Sequence, residues 1–209
     1  MATVMVQLQK RQKTIIYSDY TLQEVSNVFS LTIAQRPLLP AIEPVEPPAW
    51  LSEWLERTIP FALGSEKARS EFLVAPILTA WIEQSSMPLT ISSGQRLDVD
   101  AEKGLTGECD FILSKTPPIP FLQTPIITIV KAKKHDIEAG FGQCAAQMVG
   151  ARLFNERAQT PVKQIAGCVT NGENWHFMLL TDTLLVIDRQ RYYLDNLARL
   201  LGALKGITA

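Results

Sequence analysis

Two lysines close the apolar run in "PIITIVKAKKHDIEAGFGQ", residues 125–143: Lys131 and Lys133. Side chains two apart on a strand share a face, so if this run is a strand the two ammonium groups lie together. The same spacing in "GECDF" places Glu108 and Asp110 on one face. If the two strands are neighbours, two acids and two bases meet near their ends, and such a group can hold something. Asp110 stands out because an acid bounded by apolar residues needs a partner. Glu71 can join from the helix before the strands, and Gln143 and Gln147, spaced i and i+4, form a polar strip on the helix after them.

Each of these residues also has a plainer reading. Lys131 and Lys133 can be solvated lysines at a strand end, Glu71 an exposed helix charge, and the two glutamines the solvent side of their helix. His135, beside Asp136, reads as a surface residue or helix-cap neighbour, and His176, within "NWHFMLL", as a strand residue facing solvent. There is no Ser-His-Asp order, glycine-rich phosphate loop or zinc-ligand spacing.

The elements that must position these residues follow from periodicity. Residues 36–60, "RPLLPAIEPVEPPAWLSEWLERTIP", are dense in proline and predict an extended arm with one short helix, pinned to the core by Trp50, Leu51, Trp54 and Leu55. "SEKARSEFLVAPILTAWIEQ" predicts a long helix with Ser65 as N-cap and Glu66 in its first turn. Its predicted buried stripe is Ala68, Phe72, Ala75 and Leu78 or Thr79, with a kink at Pro76. "LTIS", "QRLDVD", "GECDFILS" and "PIITIVKA" read as successive strands. A helix follows over "DIEAGFGQCAAQMVGARLFNE", with Asp136 as N-cap and Ile137, Phe141, Ala145 and Met148 on its apolar face. "QIAGCVT" and "NWHFMLL" flank the turn signal Asn171-Gly172 and predict a hairpin. "TLLVID", "RYYLD" and a helix around "NLARLLGALKGI" complete an α/β or α+β domain with a mixed central sheet flanked by helices.

At 209 residues the chain is long enough to bury a real core, and 46% apolar with 20% charged residues is the composition of a globular protein. The expected division is an N-terminal extension and proline-rich arm over residues 1–62 and one folded domain over 63–209. A net charge of −1 supplies no whole-molecule field for nucleic acid, so any phosphate binding has to come from a local patch. Cys109, Cys144 and Cys168 lie widely spaced in apolar segments, which predicts buried thiols in a reducing compartment. "MATVMVQLQKRQK" lacks the apolar core of a signal peptide and no segment approaches the length of a membrane span, so the expected location is cytoplasmic, with no membrane partner.

The ordered set resembles a family. A helix carrying an acid, a strand with an acid, a strand ending acid-x-Lys and a helix with Gln are similar to the PD-(D/E)XK nuclease superfamily. More narrowly, "GECDFIL", "IVKAKKHDIEAGFGQCAAQMVGARLFNE" and "GCVTNGENWHF" resemble a bacterial family with that fold, in which the strand before the Gln helix typically ends Glu-Ala-Lys. The resemblance covers roughly residues 65–180 and implies a restriction-endonuclease-like core and metal-dependent cleavage of nucleic acid, DNA first; a homodimer is among the expected partners. Mg²⁺ or Mn²⁺ would be held by Asp110, the Ala132 carbonyl and Glu71. Lys133 would position the attacking water or stabilise the pentavalent phosphate, and Gln143 would orient substrate or that lysine. Apart from the resemblance, Lys131, Lys133, Lys134 and Arg152 are the cations that a non-catalytic binding module would set on phosphates, with Gln147 as a further nucleic-acid contact.

Lys131 departs from that pattern, because it stands where the family has its second carboxylate. The usual site carries about −2 before its metal, whereas Glu71 and Asp110 against Lys131 and Lys133 sum to zero. Two unit charges about 4 Å apart interact by roughly 4 kcal/mol at an effective dielectric of 20. An ammonium there is expected to occupy the cation's place and to weaken metal binding by orders of magnitude, unless Glu108 supplies the missing carboxylate. The expectations are therefore a nuclease or a descendant with weak or lost cleavage, a non-catalytic nucleic-acid-binding module, or a protein-interaction domain.

Overall fold

The computed structural model describes residues 15–133 and 136–208. The expectations about the first thirteen residues, Lys134 and His135 lie outside the described residues. Helix α1 (Leu22–Phe29) and strand β1 (Thr32–Arg36) precede the arm; α2 (Ala49–Ala62) ends it. Then come α3 (Glu66–Arg69), a π-helical turn (Ser70–Val74), α4 (Ala75–Glu83), β2 (Thr90–Arg96), β3 (Glu108–Ser114) and β4 (Ile126–Ala132). The chain closes with α5 (Gly140–Arg157), β5 (Ile165–Thr170), β6 (Asn174–Thr181), β7 (Leu184–Asp188), β8 (Tyr192–Tyr193) and α6 (Leu197–Ile207).

All eight strands form one mixed sheet in the order β1-β7-β6-β5-β4-β3-β2, with β8 paired to β6. β4–β5 and β1–β7 are parallel and the other pairs antiparallel. The parallel step from β4 to β5 needs a crossover, which α5 provides. Helices cover both faces: α5 and α1 enclose one core cluster with Ile112, Ile129 and Val169, while α2, α4 and α6 enclose the other with Phe111, Val130 and Phe177. Burial on both faces explains why β4 and β5 read as continuous apolar runs. The predicted hairpin over Asn171-Gly172 is present, with β5 and β6 antiparallel. Among the described residues no helix is long and apolar enough to cross a membrane, and the three cysteines are buried free thiols.

Several local expectations are corrected. "LTIS" and the start of "QRLDVD" form one strand, β2, because Gly94 accepts a positive φ of 63° in mid-strand and lets the ladder to β3 continue. α2 runs past Pro60 to Ala62. Leu51 and Leu55 are buried as predicted, but Trp50 and Trp54 are exposed. Their indoles donate instead to Glu83 Oε2 at 3.1 Å and to the Phe72 carbonyl at 3.0 Å. Pro76 has no N–H to give that carbonyl, so Trp54 supplies the donor that the helix lacks.

The same proline shapes the turn before it. The Ala75 N–H bonds to Ser70 O, five residues back, and the extra residue in that turn resets the phase of the helix. The buried face is consequently Leu73, Val74, Ile77, Leu78 and Trp81, whereas Ala68, Phe72 and Ala75 are only half-buried and Thr79 is exposed. Ser65 does cap, its side chain accepting from Ala68 N at 3.0 Å.

α5 begins at Gly140. Asp136 accepts from Ala139 N at 3.1 Å and so caps the turn that leads into the helix rather than the helix itself. Buried residues occur around its whole circumference over the first three turns, because it is wedged between the sheet and the chain segment around Tyr17–Thr21. A Cβ at Gly142 would run into the Tyr20 carbonyl, and one at Gly150 into the Tyr17 ring. Gln143 and Gln147 are therefore buried, not on a solvent face.

Candidate functional site

β3 and β4 are neighbours, with Phe111 opposite Val130, and one step further along Asp110 faces Lys131. The Lys131 ammonium donates to both Asp110 oxygens, at 2.9 Å to Oδ1 and 2.7 Å to Oδ2. Oδ2 also accepts the Ala132 N–H at 2.6 Å. A third group completes the cluster: Glu66 Oε1 lies 3.7 Å from Lys131 Nζ. Lys131 is 6% exposed, while the Asp110 and Glu66 side chains are 24% and 45% exposed. A buried ammonium thus faces two carboxylates that open onto solvent.

They open into a cleft of about 440 Å³ between the α3–π-turn segment and the β2–β3 pair. Glu66, Lys67, Ser70 and Glu71 form one wall; Ser93, Gly94, Glu108 and Asp110 form the other. Gly94 has no side chain to fill this space, and a Cβ there would lie 3.5 Å from Glu108 Oε1. The cleft carries four carboxylates against Lys67 at its rim and Lys131 beneath it.

The other candidates distribute as follows. Glu71 lines the cleft but pairs with Lys67 at 3.5 Å, and it is Glu66 that reaches Lys131. Glu108 is exposed in the cleft and, among the described residues, its carboxylate forms no ion pair. Lys133 does not join Lys131 on Asp110; its stem passes α5, where a Cβ on Gly140 would lie 3.3 Å from Lys133 Cγ. Gln143 is buried at the start of α5. Gln147 donates to the Glu108 carbonyl at 3.1 Å, leaving its Oε1 without a partner among the described residues. Arg152 donates to the Asp182 carbonyl and pairs with Glu156 at 3.7 Å, away from the cleft.

Two groups went unread in the sequence. Glu66 is legible only as a first-turn acid, and no spacing in the sequence marks it as a partner of Lys131. The second group surrounds Asp188, which is fully buried at the end of β7. It accepts from Tyr192 OH at 2.9 Å, Gln190 N at 2.9 Å and Leu38 N at 3.3 Å. His176 is buried beside it, not solvent-facing as predicted, because β6 is an interior strand covered by α5. Its ring meets Phe141 edge-on, and Nε2 lies 2.7 Å from the Asp188 carbonyl oxygen. Burial holds the His176 pKa below its ordinary value. Burial also raises the thiols, Cys144 to about 12, so none is an activated nucleophile.

The resemblance implies a divalent metal on Asp110, and the geometry tests whether the residues fit one. They do not: the Lys131 ammonium occupies both Asp110 oxygens, and Ala132 turns its N–H toward the same carboxylate. Among the described residues no group of three or more His, Cys, Asp or Glu side chains is placed to hold a metal ion. What the arrangement can do is hold the Lys131 ammonium at the base of an acidic cleft. A scan against models of protein families matches none, and a search of curated proteins likewise finds no match.

Proposed function

We propose that this chain has a nuclease-type core that does not cleave nucleic acid, because Lys131 takes the position and the charge of the metal. The carrying observation is the bidentate hold of Lys131 Nζ on Asp110, with Glu66 at 3.7 Å. Support for the nuclease-type core comes from the element order over residues 65–170. A helix precedes three antiparallel strands, a helix follows them, and a final strand lies parallel to β4. Asp110, Lys131 and Gln143 fall on the elements that the resemblance implies for a metal ligand, a second carboxylate and an orienting amide.

A cleft that grips phosphodiesters has weaker support. Its four carboxylates repel a phosphate backbone, Gln147 is engaged with Glu108, and Arg152 is engaged with Asp182. The domain is accordingly read as non-catalytic, with no nucleic acid seated in this cleft.

The test is cleavage of plasmid and single-stranded DNA with Mg²⁺ and with Mn²⁺, run on the native protein and on Lys131→Glu, with Mn²⁺ binding followed by calorimetry. The native protein is expected neither to cut nor to bind Mn²⁺. Lys131→Glu is expected to gain Mn²⁺ affinity through Glu66, Asp110 and the new carboxylate. Metal-dependent cutting by the native protein that Asp110→Ala abolishes would overturn the proposal.

A further inference from the structure

At the opposite end of the sheet the surface has the reverse character. Two cavities, of about 320 and about 440 Å³, meet at Met87 and Thr208 and are open to solvent. They run from the end of α4 and the C-terminal turn of α6 across the starts of β4 and β5. Met87, Ile127, Val162 and Ile207 are among their apolar lining groups, and Lys115, Lys163 and Lys205 line them as well. All three lysines are exposed, and none forms an ion pair among the described residues. Among the described residues no carboxylate lines either cavity.

We propose that this groove docks an acidic, amphipathic segment of a partner polypeptide. Charge complementarity selects the occupant: three exposed ammonium groups around an apolar floor, with no ion-pair partner and no acid between them among the described residues, favour a ligand that is negative at its edges and apolar beneath. A nucleic acid fits less well, because among the described residues no arginine and no exposed aromatic ring lines the groove for a base to stack on. A bilayer surface fits less well, because the site is concave. A polypeptide presents acidic and apolar side chains on opposite edges of one segment, and an open groove accommodates that geometry. This proposal is independent of the reading of Lys131.

The experiment is fluorescence polarisation with the native chain and four labelled probes: a peptide alternating leucine with glutamate, one alternating leucine with lysine, a single-stranded oligothymidylate, and oleate. The acidic peptide is expected to bind saturably and to weaken as salt is raised. Replacing Lys115, Lys163 and Lys205 together with Gln is expected to weaken it about tenfold, the scale of three exposed ion pairs, while replacing them with Arg restores binding. Circular dichroism on both variants confirms the fold. The proposal is overturned by absent binding, by equal binding of the basic peptide, or by binding that the Gln variant retains. Oligothymidylate or oleate displacing the acidic peptide with higher affinity would assign the groove to a different ligand class and equally overturn it.

Discussion

Asp110 and Asp188 both sit at strand ends among apolar neighbours, yet the fold satisfies them by opposite means. Asp188 is sealed from solvent and takes only neutral donors: a phenol and two backbone N–H groups. Those donors come from three places, so this one carboxylate ties the start of the proline-rich arm at Leu38 and strand β8 at Tyr192 to the end of β7. Asp110 is partly open, and its main partner is a full positive charge. A buried carboxylate held by neutral donors serves architecture. One held by a lysine at the floor of a cleft occupies the place where chemistry or recognition would be sited, and the two respond differently to damage.

The largest effect is expected at the sealed site. Asp188→Ala removes the acceptor of Tyr192 OH, Leu38 N and Gln190 N at once in a place that water does not reach, and should cost about 3 kcal/mol of folding stability. Urea denaturation measures it. A loss under about 1 kcal/mol would mean that the arm and β8 are held by packing alone.

Lys131→Met is expected to cost less, about 2 kcal/mol, although it removes a charge from an ion pair. The methionine keeps most of the stem's volume, and the exposed side of Asp110 lets water replace the ammonium. Asp110 also retains the Ala132 N–H at 2.6 Å. A double-mutant cycle with Asp110→Asn isolates the coupling between the two residues. Were Lys131→Met to equal Asp188→Ala in cost, the two carboxylates would be alike and the distinction between anchor and cleft would fail. A neutral or stabilising result would sharpen it, since the lysine would then be retained for something other than stability.

How far these regions were legible differs in the same way. That Asp110 needs a partner, and that Lys131 is a candidate if β3 and β4 are neighbours, follow from the cost of an unpartnered acid and from the two-residue repeat of a strand, both local signals; the pairing itself is a property of the fold. Choosing Glu66 over Glu71 required contacts that form only in the fold: Lys67 takes Glu71, while Lys131 meets Glu66 from strand β4. The Asp188 group was not legible at all. Its partners span Leu38 to Tyr192, and His176 looks solvent-facing by alternation until α5 covers its strand. α1 and β1 also went unread. β1 is exposed along its length and joins the sheet at its edge, so no apolar alternation marks it. α5 misled for the opposite reason: buried residues surround it, so the face carrying Gln143 and Gln147 carries no sign of exposure.

His176 provides the finest test of the contrast, because it couples the sealed site to pH. The ring is packed against Phe141 from α5 and the Asp188 carbonyl from β7, with Arg191, the Asp188 carboxylate and Glu138 as the charged groups facing it. Desolvation depresses its pKa in the folded state, whereas the unfolded chain titrates near 6.5. As pH falls below 6.5 the unfolded state takes up the proton first, so stability present above that value is lost as pH descends toward the folded-state pKa. One such group accounts for at most about 1 kcal/mol over the first pH unit below its unfolded value. His176→Gln should flatten that portion of a stability–pH curve measured by urea titration, while Lys131→Met should leave its slope unchanged. If the slope instead followed Lys131→Met, the titrating group would belong to the cleft, and the proton would be sensed where the proposed cation stands rather than in the sealed anchor.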